Sequence, residues 1–194
     1  MRTRLLAGAL ALTAPLIAAA PAAGAVKKKR LHVRVGRTVV VVGGAVSSSA
    51  AALQIRRRGA WRTIDRDRTT ATGRFVLRDR VHRPLSAPAR LVTAAGPTRI
   101  GRLNAYRLTT ASWYGPGLYG SRLGCGGRLE PGRLGVAHKT LPCGAGVTLR
   151  KGDRTVRVRV IDRGPYVGGR EFDVTEATAR RLRFHGHGVI LTTR

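Results

Sequence analysis

The sequence predicts an all-β chain: a small antiparallel β-sandwich followed by a small closed β-barrel with one short helix. Three observations lead there. Between Leu31 and Ala95, short alternating apolar runs recur and are separated by glycine turns. From Ala111 onward glycine becomes dense, both cysteines appear, and six of the nine acids fall, at 130, 153, 162, 171, 173 and 176. Many short strands with one helix in roughly 80 residues then favour a barrel closed on itself over an open sheet.

The chain starts with an expected export signal over residues 1–25. Arg2 and Arg4 precede an apolar Leu/Ala run from Leu5 to Ala20, and Ala23-Gly24-Ala25 fits a small-x-small cleavage site. The run is short for a membrane span and is followed by Lys27-Lys28-Lys29-Arg30, so cleavage is expected and no span afterwards. A secreted or wall-associated monomer is the expectation.

The sandwich is expected over residues 31–95. Leu31-His32-Val33-Arg34-Val35 alternates, and Thr38 to Val42 is a β-branched run ended by Gly43-Gly44. Ala52 to Arg56 turns at Arg58-Gly59 into Trp61 to Ile64, and Ala71-Thr72-Gly73 leads into Arg74 to Leu77. Pro84 and Pro88 bracket a loop before a last strand from Arg90. Asp65, Asp67 and Asp79 sit among arginines and read as surface ion pairs, and Trp61 reads as core. Gln54, Trp61 and the Gly73-Arg74-Phe75 turn resemble a short Ig-like module that precedes cell-wall enzymes. A linker is expected at 96–110.

In the barrel, expected over 111–194, Ser112 to Gly117 reads as a strand entering a turn, and Lys151-Gly152-Asp153 as a hairpin tip. Thr155 to Ile161 alternates and delivers Asp162 and Arg163 into the Gly/Pro-rich loop Gly164 to Gly169. Thr175 to Leu182 is the helix, with Asp173 or Thr175 as its N-cap. Gly188 to Leu191 closes the sheet.

Export places Cys125 and Cys143 in an oxidising compartment, where one disulfide is expected; a catalytic thiol is the rival reading. A zinc site would need more soft ligands than stand nearby, and no metal or cofactor is expected. The charge is extreme, 37 Lys+Arg against 9 Asp+Glu, for a net +28. It reads equally as solvated faces of an arginine-rich composition or as a surface for an anionic wall polymer. Nucleic acid suits the charge, but export argues against it.

Four ordered motifs carry a resemblance: Ala111-Ser112-Trp113-Tyr114-Gly115, Ala137-His138-Lys139-Thr140-Leu141-Pro142, Asp162-Arg163-Gly164-Pro165 and Gly169-Arg170-Glu171-Phe172-Asp173. Their order and spacing resemble the rare lipoprotein A (RlpA)-like double-psi β-barrel family, in its disulfide-bearing branch, and more distantly expansins. The resemblance implies a six-stranded barrel and lytic transglycosylase action on peptidoglycan. Asp162 is then the expected acid/base, with His138 and Asp173 assisting. Trp113, Tyr114, Lys139 and Arg163 are expected to bind substrate. Many members carry a glutamate whose position falls near Gly127 here; that acid is missing. A non-catalytic, expansin-like wall-loosening role is therefore the alternative.

Overall fold

The computed structural model describes residues 24–194. Apart from Gly24 and Ala25, the expected export signal lies outside the described residues. Among these residues no helix is long and apolar enough to cross a membrane.

The fold is all-β. In the first half, β1 (Ala25–Arg30), β2 (His32–Arg34), β3 (Thr38–Gly44), β4 (Ala50–Arg57), β5 (Ala60–Arg68), β6 (Arg74–Arg80) and β7 (Leu85–Thr93) lead to the long strand β8 (Gly96–Tyr114). One layer is the three-stranded sheet β1-β3-β6, and the other runs β8-β7-β4-β5 with β2 beside β8. Between the layers lie Val39, Val41, Leu53, Phe75, Leu77, Leu91 and Leu103, all almost fully buried. Their period-2 spacing is what the alternating sequence dictates.

Three expectations for this half need correction. Asp65 and Asp67 form no ion pair among the described residues. Asp65 instead accepts the Arg78 backbone N–H (2.6 Å) and Asp67 that of Val76 (2.7 Å). The two carboxylates thus stitch the edge of β5 to β6 in the opposite layer. Trp61 is only partly buried and lies under the Arg90 guanidinium, 4.2 Å from its centroid. Finally, Pro88 and residues 96–110 are strand. Pro88 lies beyond the stretch of β7 paired to β4 and is paired on one side only, to Arg102 of β8, which is where a strand tolerates proline. Gly101, at φ 117°, sits where the β7–β8 register shifts, so the glycine marks a bulge rather than a linker. One continuous strand joins both halves.

The second half adds β9 (Val136–Ala137), β10 (Gly146–Lys151), β11 (Arg154–Asp162), β12 (Phe172–Thr175), helix α1 (Glu176–Leu182) and β13 (Gly188–Thr192). The order β12-β9-β11-β10-β13-β8, with β12 pairing back onto β8, closes a six-stranded ring. Two of its pairings, β9–β11 and β8–β12, are parallel. Val136, Val147, Leu149, Val160, Phe172, Val174 and Phe184 fill the interior. Thr175 caps α1, its hydroxyl accepting the Thr178 N–H at 3.3 Å. Cys125 and Cys143 form a disulfide that ties the loop before β9 to the loop before β10.

Candidate active site

The carboxylates meet because of two registers and one bulge. Asp173 on β12 stands opposite Ala137 on β9, and Asp162 on β11 is the partner of the same Ala137. Alternation alone would aim Asp162 inward, since Val156, Val158 and Val160 all face the core. Between Val160 and Asp162, however, β11 advances two residues while β9 advances one. Ile161 is the extra residue, and it turns Asp162 onto the face of Ala137 and Asp173. Gly135 makes room for that bulge: a Cβ there would lie 2.2 Å from Ile161 Cδ1. Asp162 Oδ1 is then held by the backbone N–H groups of Gly124 (2.7 Å) and Arg163 (2.8 Å).

Asp173 is differently placed. It is half-buried, and its Oδ1 has no hydrogen-bond partner. Burial raises its pKa above the ordinary value, the charge of Asp162 adds to this, and Ser112 and Arg170 oppose it. Ser112 is its neighbour on β8. Tyr114, two residues along that strand, has a buried hydroxyl without a partner. Its pKa is pushed well up by burial and by the nearby charges of Asp162 and Asp173, with Arg133 opposing. Asp162, Asp173, Ser112 and Tyr114 thus form one acidic cluster.

His138 follows Ala137 directly but makes its contacts outside this cluster. Its Nδ1 accepts the N–H groups of Thr140 (3.1 Å) and Leu141 (3.0 Å), which leaves the proton on Nε2. Nε2 faces Glu171 Oε1 at 3.8 Å, and the ring packs on Phe172 with centroids 4.9 Å apart. Burial lowers its pKa, and Glu171 partly offsets that. Glu171 is clamped by both terminal nitrogens of Arg107 and by the Thr109 hydroxyl (2.5 Å). Burial opposes ionisation of Glu171, but these donors outweigh it and hold its pKa below the usual range.

The other expected residues divide. Trp113 is exposed at 37%, Lys139 is exposed, and Tyr114 stands in the acidic cluster. Arg163 is committed to the loop framework, donating to the carbonyls of His138 (3.0 Å) and Leu141 (2.9 Å) and to Cys143 Sγ (2.9 Å). It therefore anchors the loop that carries His138 and Lys139. At the position where a glutamate was expected, Gly127 forms a turn at φ 78°, and Glu130 is exposed. Glu171, Arg107 and Thr109 were not singled out as site residues. Tyr166, 82% exposed at the tip of the loop after Asp162, was also missed. An aromatic within a Gly/Pro-rich loop was its one available signal.

A closed six-stranded ring with parallel and antiparallel pairings defines the class: a double-psi β-barrel, here with two carboxylates paired about one strand residue. Residues 108–193 match the family model described as "Lytic transglycolase". The barrel domain belongs to the RlpA-like double-psi β-barrel family. Among its relatives is the probable endolytic peptidoglycan transglycosylase RlpA of Synechocystis sp., 36% identical over 123 residues, covering 57% of this chain and 38% of the relative. The endolytic peptidoglycan transglycosylase RlpA of Neisseria meningitidis is 42% identical over 80 residues, covering 40% and 34%. That of Campylobacter jejuni is 42% identical over 74 residues, covering 37% and 27%. The chain thus spans well under half the length of the curated relatives it matches.

Proposed function

We propose that this protein works in the cell wall as a lytic transglycosylase, cleaving peptidoglycan glycan strands at Asp162 and Asp173. The observation that carries the reading is the pairing of these two carboxylates about Ala137, one anchored by two N–H groups and the other half-buried with a free oxygen. A glycosidic bond needs a proton at its leaving oxygen and a nucleophile at the anomeric carbon. Asp173, whose pKa burial raises, supplies the proton. The sugar's own 6-hydroxyl attacks the anomeric carbon as the bond to the leaving oxygen breaks, and Asp162 takes the hydroxyl proton. A 1,6-anhydro end forms without water, and proton exchange with solvent resets the pair.

This assignment moves the acid role from Asp162, where the sequence reading placed it, to Asp173. His138 acts at a distance, fixing its loop through Nδ1 and facing Glu171 rather than either aspartate. The relatives named as peptidoglycan transglycosylases support the substrate class.

A second reading, a glycan-binding, wall-loosening module without cleavage, is favoured by Gly127 in place of an acid. Incubating the protein with sacculi separates the two. Release of 1,6-anhydro muropeptides, reduced at least about 100-fold in Asp173→Asn and in Asp162→Asn, is the expected result. Sedimentation with sacculi and no release would support the binding reading instead.

A further inference from the structure

Away from the acidic cluster, a cleft of about 520 Å³ opens between the sandwich and the barrel. Arg56, Arg57, Arg58 and Arg83 line it from the sandwich, Arg157 and Arg194 from the barrel, and no carboxylate side chain does. A second cleft of about 480 Å³ shares Gly146 and Arg157 with the first and continues past Arg159 to Arg133. Arg133 is the cation whose charge reaches Tyr114 in the acidic cluster. The arginines therefore form one track from the β4–β5 hairpin to the edge of the candidate active site.

The track carries uncompensated charge. Among the described residues, the arginine ion pairs are Arg107–Glu171 and Arg180–Glu176, both elsewhere. At the floor of the first cleft two guanidiniums crowd one hydroxyl: Arg102 Nε lies 3.3 Å and an Arg157 terminal nitrogen 3.4 Å from Ser86 Oγ. Burial lowers the pKa of Arg102, and the Arg157 charge adds to this across Ser86. Arg58 at the hairpin tip holds a positive φ of 48°, a conformation that favours glycine or asparagine. Like charges held together without a counter-ion call for a ligand that supplies one.

We propose that this track binds a phosphodiester-linked polyanion, which would hold the protein on the wall while the barrel works on neighbouring glycan. Phosphate suits the planar guanidinium, which presents paired N–H donors to two oxygens. A polymer suits two confluent clefts better than a single anion does. The site is separate from the carboxylates, because neither cleft is lined by Asp162 or Asp173.

The probe is a labelled poly(glycerol phosphate) of defined length, titrated against the full chain at several salt concentrations. The proposal expects binding that weakens with salt by counter-ion release. Arg56→Ser/Arg58→Ser/Arg83→Ser should weaken it at least tenfold and flatten the salt slope. Arg30→Ser/Arg37→Ser/Arg80→Ser, which removes equal charge from a separate arginine-lined depression, should change it less than about twofold. Asp162→Asn should bind like the wild type, so loss of cleavage and loss of binding are read separately. No binding, equal losses in the two triple variants, or equally tight binding of polyglutamate would overturn the proposal.

Discussion

Asp173 is free for chemistry because Thr175 takes the helix cap. A carboxylate two residues before a helix reads as a cap from sequence alone, and only the geometry assigns that work to the Thr175 hydroxyl. Having no such partner at Oδ1, Asp173 carries a pKa raised by burial and by Asp162. Its ionised form is therefore disfavoured in the folded chain. The associated stability is fully present below the unfolded value of 3.8 and is lost as pH rises through the folded pKa. Asp173→Asn should accordingly be more stable than wild type at pH 7 and equal to it near pH 3, as read from urea midpoints. A variant that gains stability while losing cleavage would mark a strained functional group. His138 runs the other way: its lowered pKa means the unfolded chain takes up a proton that the folded imidazole refuses. Stability should fall as pH drops below the unfolded value of 6.5 toward the folded pKa. Glu171→Gln should lower the His138 pKa further, since Glu171 is what holds it up; an NMR titration of the ring checks this.

Among the elements, the bulge at Ile161 decides where the acid points. The alternating run Val156 to Ile161 is plain in the sequence, and with it the strand that ends at Asp162. Nothing in that run announces the extra residue, because a bulge is set by the partner strand's register and by the space over Gly135. The same limit hid the Arg107–Glu171–Thr109 clamp, which joins residues more than sixty positions apart where β12 meets its neighbour β8. Strands, turns, helix and cysteine pairing were legible, being written in local spacing and composition. Residues 96–110 were misread because Pro97 and Gly101 usually punctuate, whereas here they open and bulge one long strand. Gly135→Ala should cost about 1–3 kcal/mol by overpacking against Ile161 and should impair cleavage by displacing Asp162. Replacing both Cys125 and Cys143 by serine opens a loop of sequence separation 18 and should cost roughly 3 kcal/mol in denaturant unfolding.

At the level of the whole molecule, β8 makes the sandwich and the barrel share one backbone, and the arginine track follows that junction toward the acidic cluster. Arg170 opposes the raised pKa of Asp173 without cancelling it, and the Arg163 side chain is engaged with carbonyls of its own loop. Asp173 can therefore serve the proposed role of proton donor despite a net charge of +28. The most direct check is the pH profile of 1,6-anhydro muropeptide release from sacculi. The account predicts a rate that declines as pH rises, with a midpoint above the ordinary aspartate value of 3.8, and that Asp173→Asn abolishes. Full release by Asp173→Asn, or a rate that rises with pH through that range, would contradict it.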